Sequence, residues 1–223
     1  MMNGILLLNK EKGMTSFDAV KKVKRFLNVQ KLGHLGTLDP IGEGLLPIAL
    51  GNACKLFNEY LKKDKVYETV FEFGVTTDTL DNTGMVTKTD DKVITEADVK
   101  KVLQKLVGKQ AQVPPAYSAK HVNGERAYNL ARAGVEFELA PKEIEIHNIE
   151  LIDVIDKNLF AFRVECSGGT YIRSIARDLA TILGTYGRMN AITRTRTGAF
   201  ELKDAFTLKD VETGNYKIIS TNN

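Results

Sequence analysis

Asp39 lies in a segment of the chain, residues 33–47, that is dense in glycine and proline. A loop of that composition brings its backbone close to a ligand and presents a carboxylate to it. Together with the Arg, Tyr and Lys residues of the chain, such a carboxylate indicates cofactor-free chemistry on an anionic ligand. The alternative is a plain turn, in which the Asp39 side chain accepts a hydrogen bond from the backbone two residues on.

Two further side chains stand out by their surroundings. Tyr67 lies in an alternating run that is typical of a strand, and Arg173 follows the glycine-containing segment 167–170. The Tyr67 hydroxyl could instead cap the edge of its strand. Arg173 could instead be an exposed arginine at the start of a helix.

The signatures of several enzyme classes are absent from the sequence. His34, His121 and His147 share no metal-ligand spacing, and Cys54 and Cys166 form no Cys-x-x-Cys pair. The chain also has no phosphate-binding Walker loop, no dinucleotide-binding glycine motif and no nucleophile elbow. We therefore expect no metal and no cofactor.

Length and composition predict an ordinary globular protein. The 223 residues suffice for one large domain or two small ones, and 43% of them are hydrophobic. No apolar run approaches the roughly 20 residues that cross a bilayer, and no signal peptide is recognisable. We therefore expect no membrane partner and a cytoplasmic location. A monomer is the further expectation, although no feature of the sequence determines the oligomeric state.

The charge is distributed unevenly along the chain, although the net charge is only +3. Residues 1–65 carry 11 basic and 6 acidic side chains, residues 166–223 carry 8 and 5, and the middle of the chain is acidic. If the two ends meet in the fold, they form one positive face of the kind that a phosphate backbone needs. Solvated surface lysines are the alternative.

Hydrophobic periodicity and capping signals predict an α+β fold, in which helices flank a mostly antiparallel sheet. Capping boxes at Thr15 and Thr95 predict two helices, and Asn52 is a candidate cap for a third. Loops are expected at residues 32–51 and 76–84. The expected strands are residues 4–8, 67–73, 144–155, 159–166 and 191–200. The other expected helices are residues 125–132, 174–183 and 207–214.

Five motifs, taken together, resemble the tRNA pseudouridine synthase B (TruB) family, and they occur in the order of that family. They are KEKGMTS at 10–16, GHLGTLDPIGEGLLP at 33–47, PPAYSA at 114–119, RAYNLAR at 126–132 and GTYIRS at 169–174. A plain turn at Asp39 does not explain the other four motifs. The resemblance therefore favours a catalytic Asp39.

The resemblance implies the pseudouridine synthase fold in a single catalytic domain, residues 1–223, whose C-terminal RNA-binding domain is absent or vestigial. It implies conversion of uridine 55 in the T stem-loop of tRNA to pseudouridine, with tRNA as the partner. In that reaction the base leaves its N1–C1′ bond, rotates and rejoins the ribose through C5. The base must first be flipped out of the stacked arm.

The same resemblance assigns roles to individual side chains. Asp39 is implied to be the catalytic carboxylate, as a nucleophile at C1′ or at the ring, or as a base. Each role needs an ionised, desolvated carboxylate, and Arg173 is the implied cation that keeps it charged. Tyr67 is implied to stack on the uracil, and His34 to fill the place that the flipped base leaves. Asp78 falls in a loop near the family's active site. The residues that match positions for RNA contacts, with packing as the alternative for the charged ones, are Lys10, Lys55, Arg126, Arg132 and Tyr171.

The sequence departs from the family pattern at several positions. Leu35 stands where the family usually has Thr, and Gly42-Glu43 where it has Ala-Thr or Ala-Ser. Gly168 replaces a common Lys, which removes one possible phosphate contact, and the segment 118–124 carries its Lys one position early. We expect these changes to alter loop packing or the fit of the RNA.

Two other functions remain open at the level of sequence. One is an RNA-binding or RNA-folding protein without turnover, against which the intact Asp39, Tyr67 and Arg173 argue. The other is a synthase that acts on other RNA or with a guide RNA, against which the expected absence of a C-terminal extension argues.

Overall fold

The structure, a computed structural model, describes residues 2–122 and 124–221. Asn123 of the segment 118–124, and the outermost residues 1, 222 and 223 of the predicted domain, lie outside the described residues. The strands are β1 (Gly4–Lys10), β2 (Leu32–His34), β3 (Glu43–Leu50), β4 (Lys65–Phe73), β5 (Val75–Thr77), β6 (Val86–Thr89), β7 (Gly108–Gln112), β8 (His121–Val122), β9 (Glu125–Arg126), β10 (Lys142–Asp156), β11 (Leu159–Cys166), β12 (Gly187–Thr197), β13 (Phe200–Glu201) and β14 (Ile218–Ile219). The α-helices are α1 (Ser16–Leu27), α2 (Phe57–Lys62), α3 (Glu96–Val102), α4 (Ala127–Arg132), α5 (Ile172–Leu183) and α6 (Leu208–Glu212). The 3-10 helices are Gly51–Leu56, Leu103–Leu106 and Leu202–Asp204.

The described chain forms two compact units. The first contains residues 2–68 and 192–221, and the second contains residues 69–191. Strands β4 and β12 contribute residues to both units. The single catalytic domain that the resemblance implies stays a prediction.

The sheet of the first unit brings the two ends of the chain together. Its strands follow the order β14-β1-β3-β12-β4, and β2 pairs with β3. Ile5 lies opposite Ile219 in the antiparallel pair of β1 and β14, whereas β3 and β12 are parallel. The unit carries 16 basic and 11 acidic side chains, a net charge of +5. The two ends of the chain therefore meet in one sheet, which is the condition for a shared positive face.

The second unit is built around a long hairpin. Its strands follow the order β12-β4-β11-β10-β7, and β10 is antiparallel to both β11 and β7. Asn158 turns the hairpin with a φ of 58°, a left-handed conformation that asparagine tolerates. The rings of Phe71 and Phe162 pack 4.9 Å apart between centroids, as alternation in β4 predicts. Since the hairpin and the pairs around it are antiparallel, the mostly antiparallel sheet is confirmed.

Local signals in the sequence located several elements correctly. Thr15 and Thr95 cap α1 and α3 through complete capping boxes, and Gly184 ends α5 with a φ of 70°. In the described ranges, no helix has the length and apolar character that a membrane span needs.

Three predictions from local signals are wrong. Residues 43–50 form the buried strand β3 rather than a loop. The side chains of residues 45–50 are all apolar, and the strand pairs with β1. Asn52 caps no helix, since the chain continues from β3 into a 3-10 helix and the Asn52 N–H donates to the Asn3 side chain. The predicted loop 76–84 begins within β5, which pairs with β6 as a two-stranded ribbon.

Candidate active site

The main chain around Asp39 forms a closed turn in the first unit. The Gly42 N–H donates to the Asp39 carbonyl at 2.9 Å, and the Gly13 N–H donates to the Pro40 carbonyl at 2.8 Å. The turn is therefore closed by backbone hydrogen bonds. Asp39 itself is half-buried.

Ser16, the first residue of α1, anchors this turn from one side. Its hydroxyl donates to the Leu38 carbonyl and accepts from the Leu38 N–H, both at 2.9 Å. Both backbone groups of the residue before Asp39 are thus held by one buried side chain. The start of α1 is therefore fixed to the candidate catalytic turn.

Arg194 on β12 holds the same segment by hydrogen bonds to its backbone carbonyls. The side chain is 1% exposed, and its three nitrogens donate to the carbonyls of Leu45 at 2.8 Å, Thr37 at 3.3 Å and Gly36 at 3.1 Å. Arg194 lies in none of the sequence motifs and was not among the predicted site residues. Its signal was the alternation of β12, which places Arg194 on the same buried face as Ile192.

Lys10 lies beside the turn as a fully buried cation. Its ammonium donates to the carbonyls of Glu11 at 2.9 Å and Met14 at 2.8 Å. Burial lowers the pKa of Lys10 to about 8; the Asp39 carboxylate opposes this change and the Arg194 guanidinium adds to it. These contacts favour a packing role for Lys10 over a contact with an RNA phosphate.

The pKa of Lys10 predicts a pH dependence of stability. The unfolded lysine releases its proton near pH 10.4 and the folded one near pH 8, so the unfolded chain binds more protons between these values. Stability therefore rises with pH across this window. Compared with Lys10→Met, the wild-type free energy of unfolding should rise by about 2 kcal/mol between pH 7.5 and pH 10.

Urea denaturation of both proteins at the two pH values measures this difference. Lys62→Met, which removes an exposed lysine of the same unit, is the control and should follow the wild-type pH dependence. The same pH dependence in wild type and Lys10→Met would contradict the prediction.

The other candidate residues of the first unit lie on separate elements. His34 is on β2, half-buried, and burial together with the Arg194 charge lowers its pKa. Its Nδ1 is buried and has no hydrogen-bond partner among residues 2–122 and 124–221. Tyr67 is buried on β4, and Lys55 is exposed on the 3-10 helix Gly51–Leu56.

Arg173 is a buried side chain at the start of α5 in the second unit. It is 5% exposed, which overturns the alternative of an exposed arginine. Its Nη1 donates to the Thr79 carbonyl at 2.9 Å, and its Nη2 to the Tyr117 carbonyl at 3.1 Å. The guanidinium therefore ties α5 to two loops that are distant in sequence.

Asp81 accompanies Arg173, with 3.9 Å between its Oδ2 and the Arg173 Nη1. Asp81 is buried, and its Oδ1 accepts from the hydroxyls of Thr79 at 2.8 Å and Thr83. Asp78 of this loop was among the predicted site residues, whereas Asp81 was not. Asp81 is buried and Asp78 is only half-buried, and the polar sequence around them does not reveal this difference.

Asp78 holds the loop and meets Tyr117. Its Oδ1 accepts from the N–H groups of Thr79 at 2.9 Å and Met85 at 2.8 Å, and its Oδ2 from the Tyr117 hydroxyl at 3.2 Å. Burial, and then the Asp78 carboxylate, raise the pKa of Tyr117. Tyr117 thus contacts Asp78 through its hydroxyl and Arg173 through its carbonyl.

Tyr171 stands directly before α5 and is held by its backbone. The Tyr171 N–H donates to Gln112 Oε1 at 2.8 Å, and Gln112 Nε2 donates back to the Tyr171 carbonyl at 3.2 Å. The N-terminus of the helix that carries Arg173 is therefore fixed to β7.

Two departures from the family pattern have a structural explanation in the first unit. Leu35 is fully buried in an apolar cluster with Ile5 and Leu45, which suits leucine better than threonine. A Cβ at Gly42 would lie 3.1 Å from the Leu38 side chain and 3.2 Å from that of Ile192, so glycine relieves crowding.

Gly168, in the second unit, stands where the family commonly has a lysine, and another lysine, Lys142, lies next to it. The Lys142 ammonium lies 3.4 Å from the Gly168 carbonyl, beside Gly169. Burial and the neighbouring charge of Lys120 lower the pKa of Lys142. Lys120, the lysine that stands one position early, is therefore close to Lys142.

The remaining basic candidates make local contacts. Arg126 donates to the Ala119 carbonyl at 3.0 Å, and the Arg132 guanidinium lies 5.6 Å from the centre of the Tyr128 ring.

In the described part of the chain, no three His, Cys, Asp or Glu side chains form a group that could hold a metal ion.

Comparison with known proteins shows what this arrangement is similar to. The model of the TruB family pseudouridylate synthase N-terminal domain matches residues 24–172, and that of the tRNA pseudouridylate synthase B C-terminal domain matches residues 173–220. The tRNA pseudouridine synthase B of Brucella anthropi is 42% identical over 211 residues, which are 95% of this chain and 65% of that protein. The protein of the same name from Endomicrobium trichonymphae is 41% identical over 219 residues, 98% of this chain and 94% of that protein.

A solved structure of a Cbf5-Nop10-Gar1 complex is similar in fold. The match has a TM-score of 0.73 and 28% identity, and covers 93% of this chain and 53% of that chain. This chain thus spans about half of the solved relative and between about two thirds and nearly all of the two curated relatives. The predicted pseudouridine synthase fold is confirmed, and the chain belongs to the TruB family of pseudouridylate synthases.

Proposed function

We propose that this chain converts uridine 55 in the T stem-loop of tRNA to pseudouridine, with Asp39 as the catalytic carboxylate. The observation that carries the proposal is the turn at Asp39, which Ser16 and Arg194 hold by buried hydrogen bonds. A carboxylate on a turn that is fixed in advance needs no reorganisation when the substrate arrives. The match with curated tRNA pseudouridine synthase B sequences over 95% of the chain supports the substrate.

The reaction needs a base that has left its stack. Flipping costs a few kcal/mol, and stacking on an aromatic ring returns about 1–3 kcal/mol. In this proposal Tyr67 stacks on the uracil and His34 occupies the place that the base has left. Burial and the Arg194 charge lower the pKa of His34 and so favour its uncharged ring, which suits a group that enters a stack of bases.

Arg173 is the proposed cation that keeps Asp39 ionised, and this pairing stays a prediction. Support comes from its own surroundings, since two backbone carbonyls and Asp81 hold the guanidinium in one place. We further infer a monomer that acts on tRNA in the cytoplasm.

The direct test is release of tritium from RNA. The purified chain is incubated with an unmodified tRNA transcript that carries tritium at C5 of its uridines, because rejoining through C5 displaces that hydrogen into water. Release should reach one equivalent per tRNA, and a transcript with cytidine at position 55 is the control. Tight binding of the transcript without release would instead indicate an RNA-binding protein without turnover.

A further inference from the structure

One side of helix α1 exposes an aromatic ring and a row of cations to the solvent. Phe17, Lys21, Lys24 and Arg25 are all exposed. At 100° per residue they fall within an arc of about 100° on one side of the helix. We call these four residues the α1 stripe. The buried side of the helix is formed by Ser16, Ala19, Val20 and Val23.

Exposure of Phe17 is costly unless something covers the ring. The side chain is 62% exposed, more than most of the large apolar side chains that reach the surface. The Lys21 ammonium lies 4.4 Å from the centre of the ring and covers one face of it. The rest of the ring is available to a flat ligand.

The cations of the stripe are poorly neutralised by the protein itself. In the described part of the chain, no carboxylate oxygen lies within 4.0 Å of the charged nitrogens of Lys21, Lys24 or Arg25. Asp18 is the one acid of α1. Its carboxylate forms the capping box with Thr15, and the charge of Lys21 contributes to lowering its pKa.

The helix dipole explains only part of this pattern. Lys24 and Arg25 lie in the last turn, where cations stabilise the C-terminal carbonyl groups. Lys21 lies further from that end, and an exposed Phe17 gains nothing from the dipole. An external ligand explains all four residues.

The position of the stripe indicates which ligand this is. Phe17 directly follows Ser16, whose hydroxyl holds both backbone groups of Leu38, next to Asp39. From there the stripe extends about 12 Å along the helix, at 1.5 Å per residue. A ligand that lies on the stripe therefore begins beside the candidate catalytic turn.

We propose that the α1 stripe binds the RNA substrate beside Asp39, with phosphates on Lys21, Lys24 and Arg25 and an unstacked base on Phe17. Cations that contact phosphates beside an aromatic ring that stacks on a base are the combination that binds a nucleic-acid strand, whereas an acidic protein would gain little from the ring. The proposal rests on the proposed function, which makes RNA the substrate.

The first test removes the charges of the stripe. The variant Lys21→Gln/Lys24→Gln/Arg25→Gln is compared with the wild type in binding to unmodified tRNA between 50 and 200 mM salt. Each lost phosphate contact lowers the slope of log K against log salt by about 0.7–0.9, so the slope should fall by about 2–3. If the two proteins bind equally at 1 M salt, this change of slope lowers the affinity about 1,000-fold at 50 mM salt and about 50-fold at 200 mM salt.

A matched control removes three charges from exposed lysines elsewhere in the same unit. Lys62→Gln/Lys63→Gln/Lys203→Gln changes the net charge equally and should change the slope by less than one third as much. Equal effects of both triple variants, or no effect of the stripe variant, would overturn the proposal. In the second case an acidic protein would become the better candidate for the stripe.

The second test follows the aromatic ring directly. The chain has no tryptophan, so Phe17→Trp places a single fluorophore on the stripe. Stacking of a base should quench that fluorescence as tRNA saturates the protein, with saturation followed independently by the anisotropy of labelled RNA. Phe17→Leu should weaken binding about fivefold and Phe17→Tyr should not. Unchanged fluorescence at saturation would overturn the contact between Phe17 and a base.

Both tests measure binding and do not depend on turnover. Failure of the proposed function would be seen as absence of tritium release by the wild type. Failure of the stripe would be seen as an unchanged salt slope in a protein that still releases tritium. The two failures are therefore distinguishable.

Discussion

Asp39→Asn should release no tritium from the tRNA transcript above about 0.1% of the wild-type rate, while it binds the transcript as tightly as the wild type. The amide has nearly the shape of the carboxylate, but it has no negative charge and no basic oxygen. Each chemical role that is open to Asp39 needs one of these, either for attack at carbon or for removal of a proton. The hydrogen bonds that close the turn use the Asp39 backbone, so the substitution leaves them in place.

The control for this variant is the neighbouring acid. Glu43 lies four residues on and is exposed, so Glu43→Gln also removes one negative charge near the turn. We expect it to change the rate by less than about threefold. Asp39→Asn with more than a few per cent of the wild-type rate at saturating RNA would remove Asp39 from the mechanism. An equal loss in both variants would show that the local potential, rather than the Asp39 carboxylate, is what the reaction needs.

Binding has to be measured on the same preparations. If Asp39→Asn lost both binding and turnover, the substitution would have damaged the turn. Thermal unfolding decides this, because loss of the buried contacts of Ser16 and Arg194 would lower the melting temperature. An unchanged melting temperature together with unchanged affinity leaves the chemistry as the only step affected.

Signals that are complete within a few residues predicted the fold well. The capping boxes at Thr15 and Thr95 supply all of their hydrogen bonds within four residues, so these helix starts can be predicted without knowledge of distant contacts. The strand β3 was missed because Gly44 and Pro47 are typical of loops. Its apolar side chains nevertheless find a partner in β1, and burial outweighs local preference.

The residues of the candidate site also fall into two groups, those that local sequence predicts and those whose partners are distant in sequence. Asp39 and Arg173 were predicted from motifs, whose residues are close together in sequence, and Tyr67 from the alternation of its strand together with the family resemblance. Arg194 and Asp81 were missed because their importance lies in distant partners: Arg194 bonds to carbonyls about 150 residues earlier, and Asp81 lies beside Arg173. Nothing local in the sequence marks such a residue, except the alternation that buries Arg194.

Arg173→Lys should lower kcat by at least about 100-fold, even though the positive charge is kept. The Arg173 guanidinium donates from two different nitrogens to the carbonyls of Thr79 and Tyr117, with Asp81 beside it. Lysine has one nitrogen and cannot serve both carbonyls from the same place, so one buried carbonyl is left without a donor. That loss costs about 1–3 kcal/mol of stability, and it frees the charge to move away from where the reaction needs it.

The same helix offers a matched control one turn further on. Arg177 also donates to a carbonyl, that of Val113 at 3.0 Å, but its side chain is partly exposed and its other contact is the neighbouring Asp178. Arg177→Lys makes the same chemical change in α5 and should keep kcat within about threefold of the wild type. Comparing kcat and melting temperature of the two variants separates positioning from folding. If Arg173→Lys lost stability but kept its rate at saturating RNA, the guanidinium would serve only to tie α5 to its loops. If the rate falls at a temperature where the variant is fully folded, the rate depends on the fixed direction of the guanidinium and not on its charge alone.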